Sequence, residues 1–472
     1  MISDPKPKNV CNTVVANNVC IGCGMCAGIL PKVLRMRTDK YGAYLPELIE
    51  GVSEDWKELD LKVCPFADNQ DNEDTISEML FSNQEGIKHR SETGYYLQCS
   101  IGYVNDHEAR LASTSGGIIA WLAGEMLSSG KVDAVAFVGQ SDGVDNLFEY
   151  QIATDIAELC KCRKSRYYAV ETSKIIGEIK KLNGRVLFIG LPCFVKALRL
   201  AMKVDHILKE RIVYTIGLFC GHLKTKHYAA YLSRCCGVHE RDIKTLDFRK
   251  KIPGWPANKY AFEVFAQKNS KEEHKQIMMQ DVWASSWSNN LFMLDACEYC
   301  DDIMAETADV SVGDAWLPEC VNDYRGTSIV ITRRKDTLDM LKTGYEKGEL
   351  LLKETSVEKV IQSQAGAIRQ RREGLQYRLY LSAKEGQWRP RKRVLADRKA
   401  ISVCNRLLQL LRIKTKSLSR EAFLKQQPIE GLDIFIGSLR PLIVVHRMLN
   451  IIRHVPWIIK KKIADLLKIS SR

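Results

Sequence analysis

The sequence lacks the long apolar segments of membrane and exported proteins. No uncharged apolar run in its 472 residues reaches the roughly 18–20 residues that a membrane-spanning helix needs. The first residues, Met1–Lys8, contain no apolar signal core. We therefore expect a protein that does not span a bilayer and is not exported by the usual route, but stays in a reducing cytoplasm.

Common nucleotide-binding motifs are also missing. The chain has no G-x-G-x-x-G after a predicted strand and no P-loop, so no motif indicates NAD(P)H or ATP as a direct partner. Acidic residues are few in one region: residues 389–472 hold 20 Lys or Arg against 5 Asp or Glu, whereas the rest of the chain is nearly neutral. Aromatic residues are scarce in this basic tail, so no nucleic acid partner is expected.

Cysteine is the residue that the sequence does have in excess. There are 16 cysteines in a chain whose 45% apolar and 27% charged residues are typical of a soluble globular protein. In a reducing compartment, clustered cysteines bind metal or do redox chemistry more often than they form disulfides.

The first cysteine cluster has the spacing of an iron–sulfur site. Cys20, Cys23 and Cys26 form C-x2-C-x2-C, which bacterial ferredoxins continue with a fourth cysteine followed by proline. Here Leu30 stands at that fourth position, and an isolated Cys-Pro occurs later, at Cys64. The spacing predicts one 4Fe–4S cluster on these four cysteines in a ferredoxin-like domain.

Three glycines accompany the triad, at positions 22, 24 and 28. We expect them to relieve the backbone and to turn N–H groups toward the sulfur atoms. The alternatives are a structural zinc site and free thiols, although zinc sites are usually built from paired C-x2-C knuckles.

A second group of cysteines falls where another site can form. Cys193 follows a predicted strand and precedes a helix, and Cys220 ends another predicted strand. The carboxyl ends of adjacent strands open onto one crevice, so these two thiols can converge there. Cys297 and Cys300 form a C-x2-C, which alone fits a redox pair or half a zinc site, and single cysteines are often buried core thiols.

The central region, from about residue 93 to residue 332, alternates strand-like and helix-like segments. This pattern predicts an α/β or α+β domain with a partly parallel sheet. The segment from about 336 to 385 is predicted to be helical, and the acidic stretch 68–74 to be a linker. The predicted strands are 132–138, 185–189, 212–216 and 327–331, and the predicted helices include 118–128 and 225–236.

Several short motifs follow one another along the chain. They are the N-terminal cysteine triad, Ser113–Gly117, Lys164–Tyr167, Leu191–Cys193, Cys220–His222, Cys297–Cys300, Asp309–Trp316 and Gly326–Ser328. In their order and spacing, these motifs resemble those of the coenzyme F420 hydrogenase/dehydrogenase beta-subunit family, which includes 7-hydroxymethyl chlorophyll a reductase. The resemblance runs from about Cys20 to Thr332.

The resemblance implies a flavin, FAD, and one or two 4Fe–4S clusters. It implies that the second cluster is bound by Cys193, Cys220, Cys297 and Cys300, beside the flavin. It also implies that the Ser113–Gly117 loop, with Ser113, Ser115, Gly116 and Gly117, belongs to the flavin-phosphate site. The family often has Gln after Cys193, where this chain has Phe194.

From the residues themselves, the flavin site is less defined. Glycines that open a helix suit a phosphate, but also serve as ordinary N-caps. Lys164 and Arg166 are candidates for neutralising phosphate or for a solvated surface, and Asp314 for lining the flavin or capping a helix. His222 is a candidate proton donor; a histidine beside a cluster more often hydrogen-bonds a ligand sulfur.

The basic tail alternates apolar clusters with Lys and Arg. This pattern is typical of helices on an anionic membrane surface, but also of an extension that packs on the body or on a partner subunit. Localisation is therefore predicted as cytoplasmic, either soluble or peripheral at the inner face of the cell membrane.

Together these observations predict three parts: a ferredoxin-like 4Fe–4S domain at 1–75, a mixed-sheet domain with FAD and a second 4Fe–4S cluster at 76–388, and a basic amphipathic helical tail at 389–472. The predicted activity is an oxidoreductase that relays single electrons, from ferredoxin or another low-potential donor, to a flavin that reduces a small organic substrate, with a step in polysaccharide synthesis as one setting. The alternatives are a subunit that reduces or oxidises coenzyme F420 and a non-catalytic, zinc-stapled scaffold recruited to a membrane.

Overall fold

The computed structural model describes residues 8–52, 56, 58–68, 71–141, 143, 146–426 and 432–469, without the side chains of residues 162 and 454–469. The described strands are β1 Leu34–Thr38, β2 Tyr44–Leu48, β3 Lys88–Arg90, β4 Gly94–Tyr96, β5 Gln98–Val104, β6 Ala134–Gln140, β7 Phe148–Ala153, β8 Val186–Gly190, β9 Ile212–Leu218, β10 Ile243–Lys250, β11 Ala261–Lys268, β12 Lys271–Met278, β13 Val310–Asp314, β14 Ser328–Thr332 and β15 Leu350–Thr355.

The helices include 3₁₀ turns at 160–162, 240–242, 287–289 and 295–299 and a π-helical turn at Cys11–Val15. The described α-helices are α1 Met25–Ile29, α2 Leu59–Lys62, α3 Glu73–Phe81, α4 His107–Ala112, α5 Ile118–Ser128, α6 Ile156–Leu159, α7 Ser173–Lys181, α8 Pro192–Val204, α9 His206–Arg211, α10 His227–Cys235, α11 Pro318–Val321, α12 Lys335–Glu346, α13 Val357–Ser363, α14 Ala365–Arg371, α15 Glu373–Lys384, α16 Val403–Lys425 and α17 Asp433–Ile469.

An eight-stranded mixed sheet forms the centre of the fold, in the order β15-β5-β14-β13-β9-β8-β6-β7. Strands β13, β9, β8 and β6 are parallel, and antiparallel strands flank them on both sides. Strands β8 and β14 are buried along their whole length, as expected for strands covered on both faces. The predicted α+β architecture with a partly parallel sheet is thus confirmed, whereas the ferredoxin-like and flavin-binding character of its parts stays a prediction.

The ends of two neighbouring strands place chemistry-bearing residues together. Strands β8 and β9 are adjacent and parallel, so their carboxyl ends lie at the same edge of the sheet. Helix α8 starts directly after β8 with Pro192, whose fixed φ suits the first helical position. The fold therefore brings Cys193 and Cys220 to one edge.

The N-terminal segment packs on the sheet instead of standing apart from it. Strands β1 and β2 form a hairpin beside the cysteine triad, and apolar side chains from both parts, such as Val14, Val63, Phe188 and Phe194, belong to one core cluster. A three-stranded antiparallel sheet, β10-β11-β12, lies beside this core. The predicted division into three parts stays a prediction.

The segment predicted to be all helical, 336–385, contains a strand. Residues Leu350–Thr355 form β15 and pair antiparallel with β5, from Leu350 beside Val104 to Thr355 beside Cys99. Leucine favours helix by itself, but pairing with β5, which is distant in sequence, overrides that local preference.

The acidic stretch 68–74 is more than the predicted linker, although residues 69 and 70 lie outside the described residues. Asn72 caps α3 by accepting a hydrogen bond from the Thr75 N–H at 2.9 Å. Glu73 is buried and pairs with Lys196 at 3.2 Å. The end of the stretch is therefore a helix start that is tied to the core.

The basic tail is helical over most of its length, as predicted. It begins with an irregular segment, 389–402, and continues as α16 and α17. One described stretch, Asp433–Arg453, is apolar and long enough to cross a membrane by length and composition alone. This stretch was not predicted from the sequence, because it contains arginines and only uncharged apolar runs were considered there.

Candidate functional site

The four cysteines of the predicted first site come together; Cys20, Cys23, Cys26 and Cys64 are called the N-terminal quartet below. Burial raises the pKa of Cys20 well above its usual value, and the thiols of Cys64 and Cys23 raise it further. The pKa of Cys26 is raised by burial and then by the same neighbours. Groups that shift one another's pKa lie near each other, so the four thiols belong to one neighbourhood.

The glycines beside this quartet pack as well as turn the chain. Gly22 donates its N–H to the Sγ of Cys20 at 3.3 Å. Gly24 has φ of +78°, and a Cβ there would lie 2.8 Å from the backbone nitrogen of Thr172. A Cβ on Gly28 would lie 2.9 Å from a side chain of α7. The quartet is therefore held by a backbone that approaches α7 closely.

The charged groups described around the N-terminal quartet are mostly acidic. Asp60 accepts hydrogen bonds from backbone N–H groups and Glu171 lies beside Cys23; burial raises the pKa of both carboxyls. Lys196 is a cation near Cys64, and it is already paired with Glu73.

The second group, Cys193, Cys220, Cys297 and Cys300, also converges and is called the central quartet. Burial raises the pKa of Cys193 well above its usual value, followed by the thiols of Cys300, Cys220 and Cys297. Because the four residues come from three separate parts of the chain, this convergence is a product of the fold.

Local structure positions each member of the central quartet. Cys193 lies in the first turn of α8. The N–H of Cys220 donates to the carbonyl of Ile303 at 2.9 Å. Cys297 belongs to the 3₁₀ turn 295–299, and its Sγ accepts a hydrogen bond from the N–H of Leu223 at 3.3 Å.

A buried guanidinium borders the central quartet. Arg371, at the end of α14, donates to the backbone carbonyls of Cys297 and Gly221. Burial alone would lower its pKa, but the thiols of Cys300, Cys297 and Cys220 keep that pKa above the usual value. Arg371 therefore supplies a positive charge where thiolates or an anionic cluster would lie.

Cations from the last quarter of the chain hold the segment that carries Cys297 and Cys300. Three acidic residues near these cysteines each form an ion pair with a cation of the segment 378–420. We call the three cations of these pairs the C-terminal clamp. The pairs are Arg378–Glu298 at 2.9 Å, Lys392–Asp301 at 2.6 Å and Lys416–Asp295 at 2.6 Å.

An aromatic side chain connects the two quartets. Burial raises the pKa of Tyr150, and the thiols of Cys193 and Cys23, one from each quartet, raise it further. The Tyr150 ring stacks on Phe188 and Phe194, with centroids 5.3 and 6.1 Å apart. Phe194 is the residue at which the chain departs from the Pro-Cys-Gln pattern.

A group of cations lies next to the predicted flavin residues. Lys164, Arg249 and Lys251 form this group, which we call the basic cluster. Their contacts are Lys164 with Asp247 at 2.7 Å, Arg249 with Asp314 at 2.7 and 3.1 Å, and Lys251 with the carbonyls of Ser115 at 2.9 Å and Arg110 at 2.6 Å.

The Ser113–Gly117 loop lies against this cluster, but its hydroxyls are engaged elsewhere. Ser113 donates to a carbonyl of α4 at 2.8 Å, and Ser115 donates to the carbonyl of Thr327 at 2.9 Å. Gly116 and Gly117 have no room for a side chain, since a Cβ would lie 2.6 and 2.8 Å from atoms of β5. No side chain caps α5, so its first N–H groups remain as phosphate donors.

Arg166 makes a contact of another kind. Its guanidinium lies over the ring of Phe148, 4.7 Å from the centroid, on β7. The other predicted flavin residues, Lys164, Asp314 and the Ser113–Gly117 loop, are brought together by the structure.

An aromatic surface joins the central quartet to the basic cluster. His222, two residues after Cys220, lies 4.5 Å from the Trp287 ring, which lies 4.8 Å from Tyr167. Burial lowers the pKa of His222 well below its usual value, as do Lys224 and other nearby cations, and its Nε2 is buried without a hydrogen-bond partner among the described residues. The imidazole is therefore neutral, and its predicted role as proton donor stays a prediction.

The spacing of the thiols matters for the type of centre. Within the part of the chain that the structure describes, no group of three or more His, Cys, Asp or Glu side chains is spaced to hold a single metal ion. A lone tetrahedral zinc ion would draw its sulfur ligands to about 3.8 Å from one another. Two buried sets of four thiols with N–H donors to sulfur fit the wider iron–sulfur cubane in ligand number and chemistry.

Two family models match the region that builds the central quartet and the basic cluster. The N-terminal model of the coenzyme F420 hydrogenase/dehydrogenase beta subunit matches residues 99–177, and the C-terminal model matches residues 183–358. Together they cover just over half of the chain. The chain belongs to the coenzyme F420 hydrogenase/dehydrogenase beta-subunit family. The resemblance found in the sequence is thereby confirmed.

Curated relatives of this beta-subunit family are distant. An uncharacterized protein of Methanocaldococcus jannaschii is 27% identical over 51% of this chain and 81% of its own length. The coenzyme F420-dependent sulfite reductase of the same organism is 23% identical over 68% of this chain but only 45% of its own length. A subunit of the F(420)H(2) dehydrogenase of Methanosarcina mazei is 20% identical over 65% of this chain and 78% of its own.

One similar solved structure is a chain of the F420-reducing NiFe hydrogenase complex of Methanosarcina barkeri. It is 16% identical, with a TM-score of 0.47, and the match covers 62% of this chain and 96% of that chain. The names of the last two curated relatives are those of oxidoreductases, and one of these two proteins is a subunit of a larger assembly by its name.

Several residues of the beta-subunit site were missed by sequence reasoning. Arg371 and the C-terminal clamp lie beyond the matched family region and in no motif. Arg249 lies in β10 and Lys251 directly follows this strand. These two cations, two residues apart, were a signal in the sequence for a search for positive charge near the Ser-Gly-Gly loop. The individual ligand and flavin assignments stay predictions.

Proposed function

We propose that this chain is an iron–sulfur flavoprotein oxidoreductase that passes single electrons through two 4Fe–4S clusters to a flavin, which reduces a small organic substrate. The observation that carries this proposal is the pair of buried thiol quartets with Tyr150 beside both. The family's redox character supports it.

The clusters, when bound, supply one-electron carriage at low potential, and the flavin converts single electrons to pairs. The residues of the chain bind and orient these groups. The quartets provide four thiolates each, and Leu223 and Gly22 donate N–H groups to sulfur, which stabilises negative charge there. The thiols of both sites are buried or half-buried, which limits the access of water to the electron path.

The basic cluster supports a flavin on the far side of the central quartet. Arg249 and Lys164 are held in place by carboxylates, and the uncapped start of α5 adds backbone donors for a phosphate. The rings of His222, Trp287 and Tyr167, tilted to one another by 57° and 76°, offer an aromatic wall between the basic cluster and Cys220. We assign FAD to this place, with ferredoxin or another low-potential protein as the electron donor.

A second candidate is favoured by the relatives. Two of them act with coenzyme F420 according to their names. In that case the flavin exchanges a hydride with this coenzyme and the chain is a subunit of a larger complex. The non-catalytic, zinc-stapled scaffold stays an alternative, which metal analysis distinguishes from both candidates.

Anaerobic purification of the full chain tests the proposal. We expect about eight iron and eight acid-labile sulfide atoms and one flavin per chain. Heat release followed by chromatography identifies the flavin as FAD or FMN. A protein with zinc and no acid-labile sulfide would refute the proposal.

The same preparation separates the two candidate functions. Reduced ferredoxin and reduced coenzyme F420 are mixed anaerobically with the oxidised protein, and flavin absorbance is followed. Rapid bleaching by ferredoxin alone supports the first candidate, and rapid bleaching by reduced coenzyme F420 supports the second.

A further inference from the structure

The last two helices leave an apolar face exposed at one end of their hairpin. The exposed side chains recur at three- and four-residue spacing, so each set lies along one side of its helix. We call them the apolar face. They are Val403, Leu407 and Leu410 on α16, and Val444, Val445, Met448, Ile451 and Ile452 on α17.

Both sets lie at the same end of the hairpin. The Sγ of Cys404 contacts the carbonyl of Leu449 at 3.5 Å, and Arg453 contacts Asn405 at 3.4 Å. The start of α16 therefore lies beside the middle of α17, antiparallel to it. The opposite sides of the helices, with Leu408 for example, are buried.

The two helix segments that carry the apolar face contain charges of one sign. Residues 403–414 and 440–453 contain six Lys or Arg and no Asp or Glu. Lys414, Arg440 and Arg447 are exposed. A solvated surface of this kind would normally carry both signs.

We propose that the apolar face docks the protein on an anionic phospholipid membrane, with the hairpin lying along the interface. Aliphatic side chains and methionine bordered only by cations match acyl chains beneath anionic headgroups. Protein interfaces are enriched in tyrosine and tryptophan as well as in methionine and arginine, and the described apolar face has no tyrosine or tryptophan.

The helix docks along the membrane and does not cross it. The stretch Asp433–Arg453 is long enough to span, but Phe435, Leu439 and Ile443 on its other side are buried against the protein. Crossing a bilayer would strip these side chains from their protein contacts. An interfacial position uses only the free side.

Vesicle co-sedimentation of the full, anaerobically purified chain tests the proposal. We expect binding to vesicles that contain phosphatidylglycerol, little binding to pure phosphatidylcholine, and a decline in binding as salt is raised. Met448→Glu should weaken binding by at least about tenfold, and Arg447→Gln by about fivefold.

Met79 provides a matched control. It is a helical methionine, 57% exposed against 58% for Met448, but it lies on α3. Met79→Glu should bind vesicles as the unmodified protein does. Circular dichroism and cofactor content verify that each variant is folded.

Three outcomes would overturn the proposal. One is the lack of binding to anionic vesicles at low salt, and another is an equal loss of binding in Met79→Glu. The third is an assembly in solution that Met448→Glu dissociates while vesicle binding is unchanged, because the face would then be a protein interface. None of these outcomes depends on the electron-transfer proposal, since bound protein is measured directly.

Discussion

Each of the two quartets has four thiols, but the two are held by different forces. The N-terminal quartet spans a short part of the chain and relies on glycines, such as Gly24, that let the backbone approach α7. The central quartet combines three distant segments and relies on buried ion pairs of the C-terminal clamp. Close backbone packing thus serves one site, and charge pairing the other.

The same difference affects the electrostatic environment. Carboxyl groups are the main charged neighbours described around the N-terminal quartet, whereas Arg371 contacts the central quartet directly. A positive charge favours the more negative, reduced state of a bound cluster. We therefore expect the central site to be the better electron acceptor of the two, which directs electrons inward from the N-terminal site.

Removal of single thiols should separate the sites most clearly. Cys23→Ser and Cys297→Ser should each lose about half of the bound iron, because each quartet holds its own cluster. Cys99→Ser, a buried cysteine outside both quartets, should retain all of it. Iron and sulfide analysis measures the effect, and loss of all iron in either quartet variant would show that the sites are not independent.

The clamp should matter for stability at the central site. Arg378→Met leaves the buried carboxylate of Glu298 with a weaker partner, and should cost about 3 kcal/mol of unfolding free energy. Lys359→Met removes an exposed pair with Glu319 and should cost less than about 1 kcal/mol. Denaturant unfolding under anaerobic conditions measures both; equal values would refute the ion-pair account.

Glycine packing should matter at the N-terminal site only. Gly24→Ala adds left-handed strain and a steric clash, whereas Gly86→Ala adds the strain alone, since its φ is +76° with open space around it. We expect Gly24→Ala to cost at least about 2 kcal/mol and the control about 1 kcal/mol. Iron release monitored by absorbance should be faster for the N-terminal cluster; faster release from the central cluster would contradict the comparison.

Arg371→Met should lower the midpoint potential of the central cluster and leave the N-terminal one unchanged. The guanidinium no longer stabilises the reduced state, whereas Arg371→Lys should keep part of the effect. Arg372→Met is the control, because this neighbouring side chain contacts Ser91 and Glu306 instead. Redox titration followed by electron paramagnetic resonance measures both clusters, and an equal shift in both would contradict a local role.

The smallest effect concerns pH and the basic cluster. Burial lowers the pKa of Lys251 to about 7, and Lys164, Arg110 and Arg249 add to this effect, while Asp314 opposes it. Lys251 is therefore charged below pH 7 and loses its charge as pH rises. Between about pH 6 and pH 8 the site loses about one unit of positive charge. The affinity of flavin-depleted protein for FAD should therefore fall over this range, by less than about tenfold.

Lys251→Met should remove this pH dependence without loss of iron from either quartet. Lys250→Met, which removes the neighbouring half-exposed lysine paired with Glu263, is its control. Fluorescence titration with FAD measures the affinities, and an unchanged pH profile in Lys251→Met would contradict the assignment.

The sequence allowed the main thiols to be predicted because ligand spacing and strand ends are local signals. C-x2-C-x2-C with the later Cys-Pro predicted the N-terminal quartet, and the positions of Cys193 and Cys220 after strands predicted that these two thiols converge. The complete central quartet was implied only by the family resemblance. The mixed sheet followed from the alternation of elements.

The rest depended on long-range contacts. Strand β15 exists because β5 is beside it, and Arg371 matters because α14 folds onto the central quartet. Ser113 and Ser115 illustrate a further limit, since a motif does not tell whether a hydroxyl faces a ligand or, as here, a backbone carbonyl.

The C-terminal clamp has a consequence for the biogenesis of the protein. The ribosome releases the N-terminal quartet first, while Lys392 and Lys416 follow Cys297 and Cys300 in the chain and emerge after them. Until they dock, the segment around Cys297 and Cys300 stays accessible to the machinery that inserts iron and sulfide. Loading of the central site is therefore expected to come last, and the docking of α16 then encloses the finished centre.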